Sequence, residues 1–484
     1  MLFHTWVFFI FFAVVYAVYL PLRKNNAAMN LWLMLASYFF YGWWNPYYLL
    51  LLFGTSAIDY WMVLLMERSR SHRTKKIWLV TSLVSNFGFL GFFKYSYFIT
   101  DNLNALLAHL GATFHLPDPV AYPNAMLHAL GMSDSSLFAH VLLPIGISFH
   151  TFQSMSYTID AYRGTVETER SFVRFLCFVS FFPQLVAGPI ERARNLLPQL
   201  QGRPKITRQD ITEGLSHFLV GYFKKVALAD YLAMYVDKIY GSPGNAGSPA
   251  LILATIAFGW QIYFDFSGYT DMARGIAMMM GFRLMLNFNN PYTATGLGDF
   301  WARWHISLST WFKDYVYFPL GGNRNGKWKT YRNMLLTMVI SGVWHGAAWT
   351  FIIWGALHAI GRVVTRELEE TKFYRDRVPK LAKQIGVFVF VSFAWIFFRS
   401  QSLDDAWTVA TRIFSAGWTN PQFPLLMAAM ILAVWIYQLV FADESRVRNV
   451  LALAPVRFGL AAAMVLYIAI IAQRGTQAFI YFQF

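Results

Sequence analysis

Apolar residues in this chain fall into long runs without charge: Val7–Leu20, Leu31–Leu52, Ile77–Phe93, Ile385–Phe398, Leu425–Val440 and Phe458–Ala472. A helix of roughly 20 apolar residues matches the hydrocarbon thickness of a bilayer, and shorter runs reach across when flanking polar residues snorkel. None of these runs alternates apolar and polar residues, so the pattern predicts spanning helices and not a barrel of strands. The first run precedes its positive charges, Arg23 and Lys24. That order predicts an anchor with the N-terminus outside, and not a cleavable signal.

The polar breaks carry the topology. Arg68–Lys76 (RSRSHRTKK) marks a cytoplasmic connection, so Leu31–Met66 reads as a hairpin and Ile77–Phe93 as an outward crossing. No Lys or Arg occurs from Tyr95 to Tyr162, and proline punctuation predicts an external loop at about His115–Ser136. Val141–Ile159 then returns toward Arg163. Phe172–Pro189 is apolar but has basic residues on both sides, and Pro183 and Gly188-Pro189 break it. Such a segment predicts a re-entrant or buried element, with an ordinary short span as the competing reading. Thr212–Tyr240 reads as helix with Lys224-Lys225 in its middle, Ser242–Ser248 as a loop and Leu251–Phe264 as a span. Arg366–Lys383 and Asp443–Arg448 are cytoplasmic by charge, leaving the C-terminus outside. No linker divides the chain, so residues 1–484 read as one integral membrane domain.

Composition agrees. Of 484 residues, 57% are hydrophobic and only 13% charged, against about 25% in soluble domains. The net charge of +15 fits the positive-inside bias and attraction to anionic lipids, and part of it could receive a polyanionic cytosolic ligand. The Lys and Arg residues are scattered over inter-helix loops, which argues against nucleic acid. Cys177, the single cysteine, excludes intrachain disulfides and multi-cysteine metal sites.

Against this apolar background a few polar residues stand out, because ionisable side chains at membrane depth are costly and usually functional. His305 lies in RWHISLSTW, where continuous helix would put Trp301, Trp304, His305 and Leu308 on one face. His345 lies in VWHGAAW between Gly342 and Gly346, which allow close backbone approach. A neutral imidazole there can serve as a general base; a hydrogen-bonded core histidine is the competing reading at both positions. His150 and His358, the latter near a helix end, read as structural. In YFDFSGYTDMARG the i,i+4 pairs Asp265/Tyr269 and Ser267/Asp271 each share a helix face, with Lys224, Lys225 and Arg274 as candidate partners. Structural ion pairing and lining of a tunnel remain open alternatives. Gly321–Lys327 imitates a phosphate loop but lacks the following Ser or Thr and a preceding strand, so nucleotide hydrolysis is excluded. Its glycines and Arg324 can still meet an anion.

Four blocks, RWHISLSTWFKDYVYFPLGGNRNG, SGVWHGAAWTFIIWG, YFDFSGYTDMARGIAMMMGF and LVAGPIERAR, together resemble the membrane-bound O-acyltransferase family. The likeness is greatest to its bacterial polysaccharide O-acetyltransferases of the alginate-acetylation kind, and extends from SYFFYGWWNP to the terminal FIYFQF. It implies an all-α polytopic membrane protein of the bacterial inner membrane. About 10–13 tilted transmembrane helices would form a ring, with re-entrant and in-plane helices around a thin core tunnel. It also implies transfer of an acetyl group from cytosolic acetyl-coenzyme A toward an outer-face polysaccharide hydroxyl, with no permanently bound cofactor or metal and with periplasmic partner proteins. By motif match His345 is the catalytic histidine and His305 its assistant. The expected binding set is Asp265, Ser267, Tyr269, Asp271, Arg303, Trp304, Arg324 and Trp344, with the Gly321–Lys327 loop walling the donor pocket. The alternatives are a lipid or D-alanyl acyltransferase of the same family and, in another class, an acyl or polymer transporter. A transporter would suit the buried Asp and His residues, but no paired inverted halves are visible.

Overall fold

A computed structural model describes residues 1–119, 121, 144, 146–442, 450, 453–470, 479 and 480. Most of the expected external loop at His115–Ser136, the start of Val141–Ile159, the basic Asp443–Arg448 and most of FIYFQF lie outside the described residues. The described elements are helical, and the chain forms two compact units, Met1–Lys205 and Ile206–Phe484. Among the described residues, four helices are long and apolar enough to cross a membrane: Tyr48–Arg68, His72–His109, Ser248–Met279 and Lys380–Arg399.

In the first unit, α1 (Trp6–Leu22) and α2 (Asn26–Gly42) start at Thr5 and Asn25, whose side chains accept from the first-turn backbone N–H groups. The expected hairpin is formed by α2 and α3 (Tyr48–Arg68). Helix α4 (His72–His109) runs on through a π turn at Gly91–Tyr95. Helix α5 (Ile147–Tyr162) is buried along almost its whole length despite carrying Ser148, His150, Thr151, Gln153, Ser154, Ser156 and Thr158. Part of that polarity is answered by Asp59 of α3, a fully buried carboxylate not anticipated from the pattern. Asp59 accepts from Ser82 Oγ at 2.5 Å, from Asn86 Nδ2 at 2.8 and 2.9 Å, and from Ser154 Oγ. Three helices are thus tied at one point, in the manner by which polar side chains join helices where lipid competes for apolar contacts.

The segment Phe172–Pro189 is too broken to cross a bilayer. It holds α6 (Phe172–Ser180) and α7 (Phe182–Leu185), and nine residues of helix rise only about 14 Å. Residues 175–193 are nevertheless buried without interruption, which agrees with a buried element. Cys177 packs within it, fully buried. Helix α8 (Ala193–Gln201) closes the unit.

The second unit opens with α9 (Arg208–Phe223), held by a capping box in which Thr207 and Asp210 exchange hydrogen bonds. The Thr207 backbone N–H, together with Arg283, holds the Asp210 carboxyl down at about 2. A π turn, Lys224–Ala229, leads into α10 (Asp230–Tyr240). Helix α11 (Ser248–Met279) then runs 32 residues, and 83% of its most apolar stretch is buried, against 17% in α4. It is therefore surrounded by protein. Gly214 and Gly221 of α9 meet Gly275 and Gly268 of α11 so closely that a Cβ on any of the four would strike the facing backbone. Small residues let the two backbones touch, and that contact sets the neighbourhood of the polar side chains described below.

Next come α12 (Leu297–Arg303), α13 (Ile306–Phe312), α14 (Lys327–His345), α15 (Trp349–Glu370), α16 (Lys380–Arg399), α17 (Leu403–Ser415), α18 (Leu425–Ala442) and α19 (Ala454–Ile470). Their shared core centres on Trp260, Trp304, Trp354 and Trp395, each at most 1% exposed. Because lipid tails are as apolar as these rings, such a core holds by close contact and ring geometry more than by escape from water.

Candidate functional site

Sequence spacing predicts one helix through His305, and the structure overturns this. Helix α12 stops at Arg303 and α13 starts at Ile306, with His305 between them at φ 43°, in the left-handed region. A non-glycine residue held there costs of order 1–3 kcal/mol and persists only when its surroundings impose it. The imposing group is Asn287. Its carbonyl accepts from Ile306 N–H at 2.9 Å, and Asn289 N–H donates to Arg303 O at 2.9 Å, so residues 287–289 clamp the chain on both sides of the histidine. Among the described residues only Asn290, His305 and Gln422 are non-glycines with positive φ. His305 lies in this clamp and Asn290 directly follows it, so local propensity is overridden at this point.

Asn287 also sets the imidazole. Its Oδ1 accepts from Ser307 Oγ at 2.9 Å and from Ser307 N–H at 3.3 Å, and lies 3.0 Å from His305 Nδ1. The backbone N–H can only donate, so the atom facing it is oxygen, and His305 must carry its proton on Nδ1. In the neutral ring Nε2 is then an acceptor; polarising a carbonyl from Nε2 would require the imidazolium. The ring is fully buried, edge-on to Phe266 at 4.6 Å, with Phe288 at 6.4 Å and Trp344 at 6.3 Å.

His345 is the last residue of α14, in the turn that joins it to α15. Gly342 packs on the Phe351 backbone and Gly346 on the Phe351 ring, leaving no room for a Cβ at either position. The tight hairpin delivers His345 into a cage of Trp344, Trp354 and Phe398, with centroids at 4.9, 5.0 and 5.3 Å. His345 is 5% exposed. Trp344 therefore neighbours both imidazoles. His358 lies inside α15, not near its end, packed among Phe300, Trp301 and Trp354. His150 is buried in the first unit.

The polar face of α11 divides in two. Ser267, Thr270, Asp271 and Arg274 follow one another at helical spacing and line a cavity of about 270 Å³, together with Lys224, Tyr263, Leu286, Phe288, Asn289, Asn290 and Tyr437. Lys224 Nζ meets Asp271 Oδ2 at 2.7 Å on its wall. Phe288 belongs both to this cavity and to the surroundings of His305. Asn287 Nδ2 reaches Thr270 Oγ1 of the cavity wall at 3.4 Å, so the residue that clamps His305 also braces the cavity.

Asp265 and Tyr269 lie on another face of α11. Asp265 accepts from Lys225 Nζ at 2.7 Å and from Ile480 N–H at 2.7 Å, while Tyr269 packs on Phe479. Lys225 also meets Asp230 at 2.7 Å. The π turn at Lys224–Ala229 holds consecutive lysines that both serve carboxylates of α11, and such turns recur at functional sites. Arg303 is engaged by Asp299 at 2.6 Å, and Trp304 packs against Trp395 at 5.2 Å. Arg324 is exposed in the glycine-rich loop and is not among the residues lining the cavity. Asn287 and Asp230 were missed by sequence reasoning. The available signal for Asn287 was the polar LNFNNPY stretch, which carries no motif by itself.

The family model for membrane-bound O-acyltransferases matches residues 137–403, a span that includes both histidines and the α11 stripe. The chain is 39% identical to a protein named probable alginate O-acetylase from Azotobacter vinelandii, over 85% of this chain and 79% of that one. It is 36% identical to a peptidoglycan O-acetyltransferase of Helicobacter pylori over 84% and 78% of the two chains. A teichoic acid D-alanyltransferase of Bacillus subtilis is 31% identical over 45% and 57%. The chain belongs to the membrane-bound O-acyltransferase family.

Proposed function

We propose that this protein is a multi-pass inner-membrane O-acetyltransferase that moves acetyl groups from cytosolic acetyl-coenzyme A to hydroxyls of an extracytoplasmic polysaccharide, helped by extracytoplasmic partner proteins. The observation that carries the reading is the clamped His305 backed against a small polar cavity. That cavity lies in the C-terminal half of α11, whose end is followed by Arg283 beside the start of α9. In this reading that end faces the cytoplasm, which the positive-inside bias supports, and the N-terminus lies outside, which the order of the first apolar run and Arg23-Lys24 supports. Similarity to acetylases of alginate and peptidoglycan supports the polysaccharide acceptor. The cavity is small and partly polar, which suits a short acyl group better than a lipid chain.

In this reading His345 takes the proton of the attacking hydroxyl and the oxygen adds to the thioester carbonyl. Collapse breaks the carbon–sulfur bond, and the imidazolium returns its proton to the departing thiolate. His305 Nε2 accepts a hydrogen bond from the donor arm and fixes the thioester. Incubating the purified protein with acetyl-labelled coenzyme A should give label on an added acceptor polysaccharide or partner protein. Absence of donor consumption, or preference for a D-alanyl thioester carrier, would overturn the assignment. Asn287→Ala frees the His305 ring while leaving the residue present, so kcat should fall about 10- to 100-fold, as for other residues that orient a reactive group. The KM for the donor should move less. An equal loss in binding would reassign Asn287 to donor contact.

A further inference from the structure

Within the cavity the charges do not cancel. Lys224 is neutralised by Asp271 at 2.7 Å, but Arg274, on the same stripe of α11, makes no hydrogen bond or ion pair among the described residues. It is partly exposed, and of the α11 residues lining the cavity it lies nearest the helix's C-terminal end. A guanidinium in such a place offers a planar fork of donors matched to phosphate, and a site with a net positive charge and side-chain amides at Asn289 and Asn290 selects for an anion.

The dimensions say which anion. From Phe266, which touches His305, to Arg274 is eight residues of helix, about 12 Å of rise. A cavity of about 270 Å³ is below the usual 300–1,000 Å³ of sites that enclose a drug-sized ligand, so it takes a slender arm and leaves a nucleotide outside. A pantetheine arm carries its phosphate at one end and its thioester at the other, and is long enough to join the two points.

We propose that Arg274 binds a phosphate of the acyl donor at the rim of the cavity, so that the α11 stripe measures the donor arm between Arg274 and His305. This rests on the reading of the donor as acetyl-coenzyme A. Arg274 is then a specificity-determining residue for phosphorylated thioesters.

The test compares two donors in the purified full-length protein: acetyl-coenzyme A, and a phosphate-free acetyl thioester of pantetheine. Arg274→Gln should raise the KM for acetyl-coenzyme A about tenfold or more with kcat nearly kept, as expected when a hydrogen bond to a charged group is lost. It should change kcat/KM for the phosphate-free donor far less, and Arg274→Lys should recover part of the loss. Equal losses with both donors would mean that Arg274 only shapes the cavity, and an unchanged KM for acetyl-coenzyme A would remove it from binding; either overturns the proposal. If the unaltered protein uses neither donor, the donor assignment itself fails, which is a separate result.

Discussion

Replacing His345 by glutamine is expected to lower acetyl transfer by about 10²–10⁴-fold, the range that proton transfer by a positioned side chain contributes. Glutamine fills most of the imidazole's volume and keeps a hydrogen-bonding end, but it cannot accept a proton. The cage of Trp344, Trp354 and Phe398 should therefore still close around it, and donor binding should persist. Two measurements separate chemistry from folding: turnover with labelled acetyl-coenzyme A, and retention of a single monodisperse species in detergent. Turnover within a few-fold of the unaltered protein would remove His345 from the reaction. The base would then have to be His305, whose Nε2 is already placed as an acceptor by the Asn287 hydrogen bond.

Replacing Lys225 by methionine should be the most damaging change to stability at the site. Lys225 is 3% exposed and bridges Asp230 and Asp265, each at 2.7 Å. Taking away one member of a buried ionic cluster leaves uncompensated charge and costs about 3–5 kcal/mol. Thermal inactivation in detergent should therefore occur at markedly lower temperature. The double variant Lys225→Met, Asp265→Asn should recover part of the loss, because asparagine removes the charge while its oxygen still accepts from Ile480 N–H. No recovery would mean that the lysine acts by packing its stem and not by pairing.

Much of this was legible from residue order. Charge-free runs long enough for a bilayer predicted spanning helices because lipid leaves the backbone few other choices. Phe172–Pro189 announced a broken, buried element through its prolines and its basic flanks, and α6 and α7 agree. The pairing of Asp265 and Asp271 with Lys225 and Lys224 followed from the rule that buried carboxylates need partners. Arg274, a candidate for the same task, was left out of it. Nothing in residue order says which cation a glycine-mediated helix contact will bring within reach.

Two of the misses share a cause. Helical spacing placed His305 in the middle of a helix face, whereas Asn287, 18 residues earlier, breaks the helix by offering both its carbonyl and its side chain to residues 305–307. That interaction is non-local, and local periodicity carries no record of it. Asp59 went unremarked for the same reason, since its donors come from two other helices. By itself the sequence determined the class of solvent, the helical character and the family, and it singled out two candidate histidines, because each depends on composition or on short contiguous motifs. Only the tertiary structure decided that His305 is held strained with its proton on Nδ1, that Trp344 neighbours both imidazoles, and that Ser267 and Asp271 face a cavity while Asp265 and Tyr269 do not. Those outcomes depend on contacts between residues far apart in the chain, from the Asn287 clamp on His305 to the glycine contacts that let α9 and α11 touch.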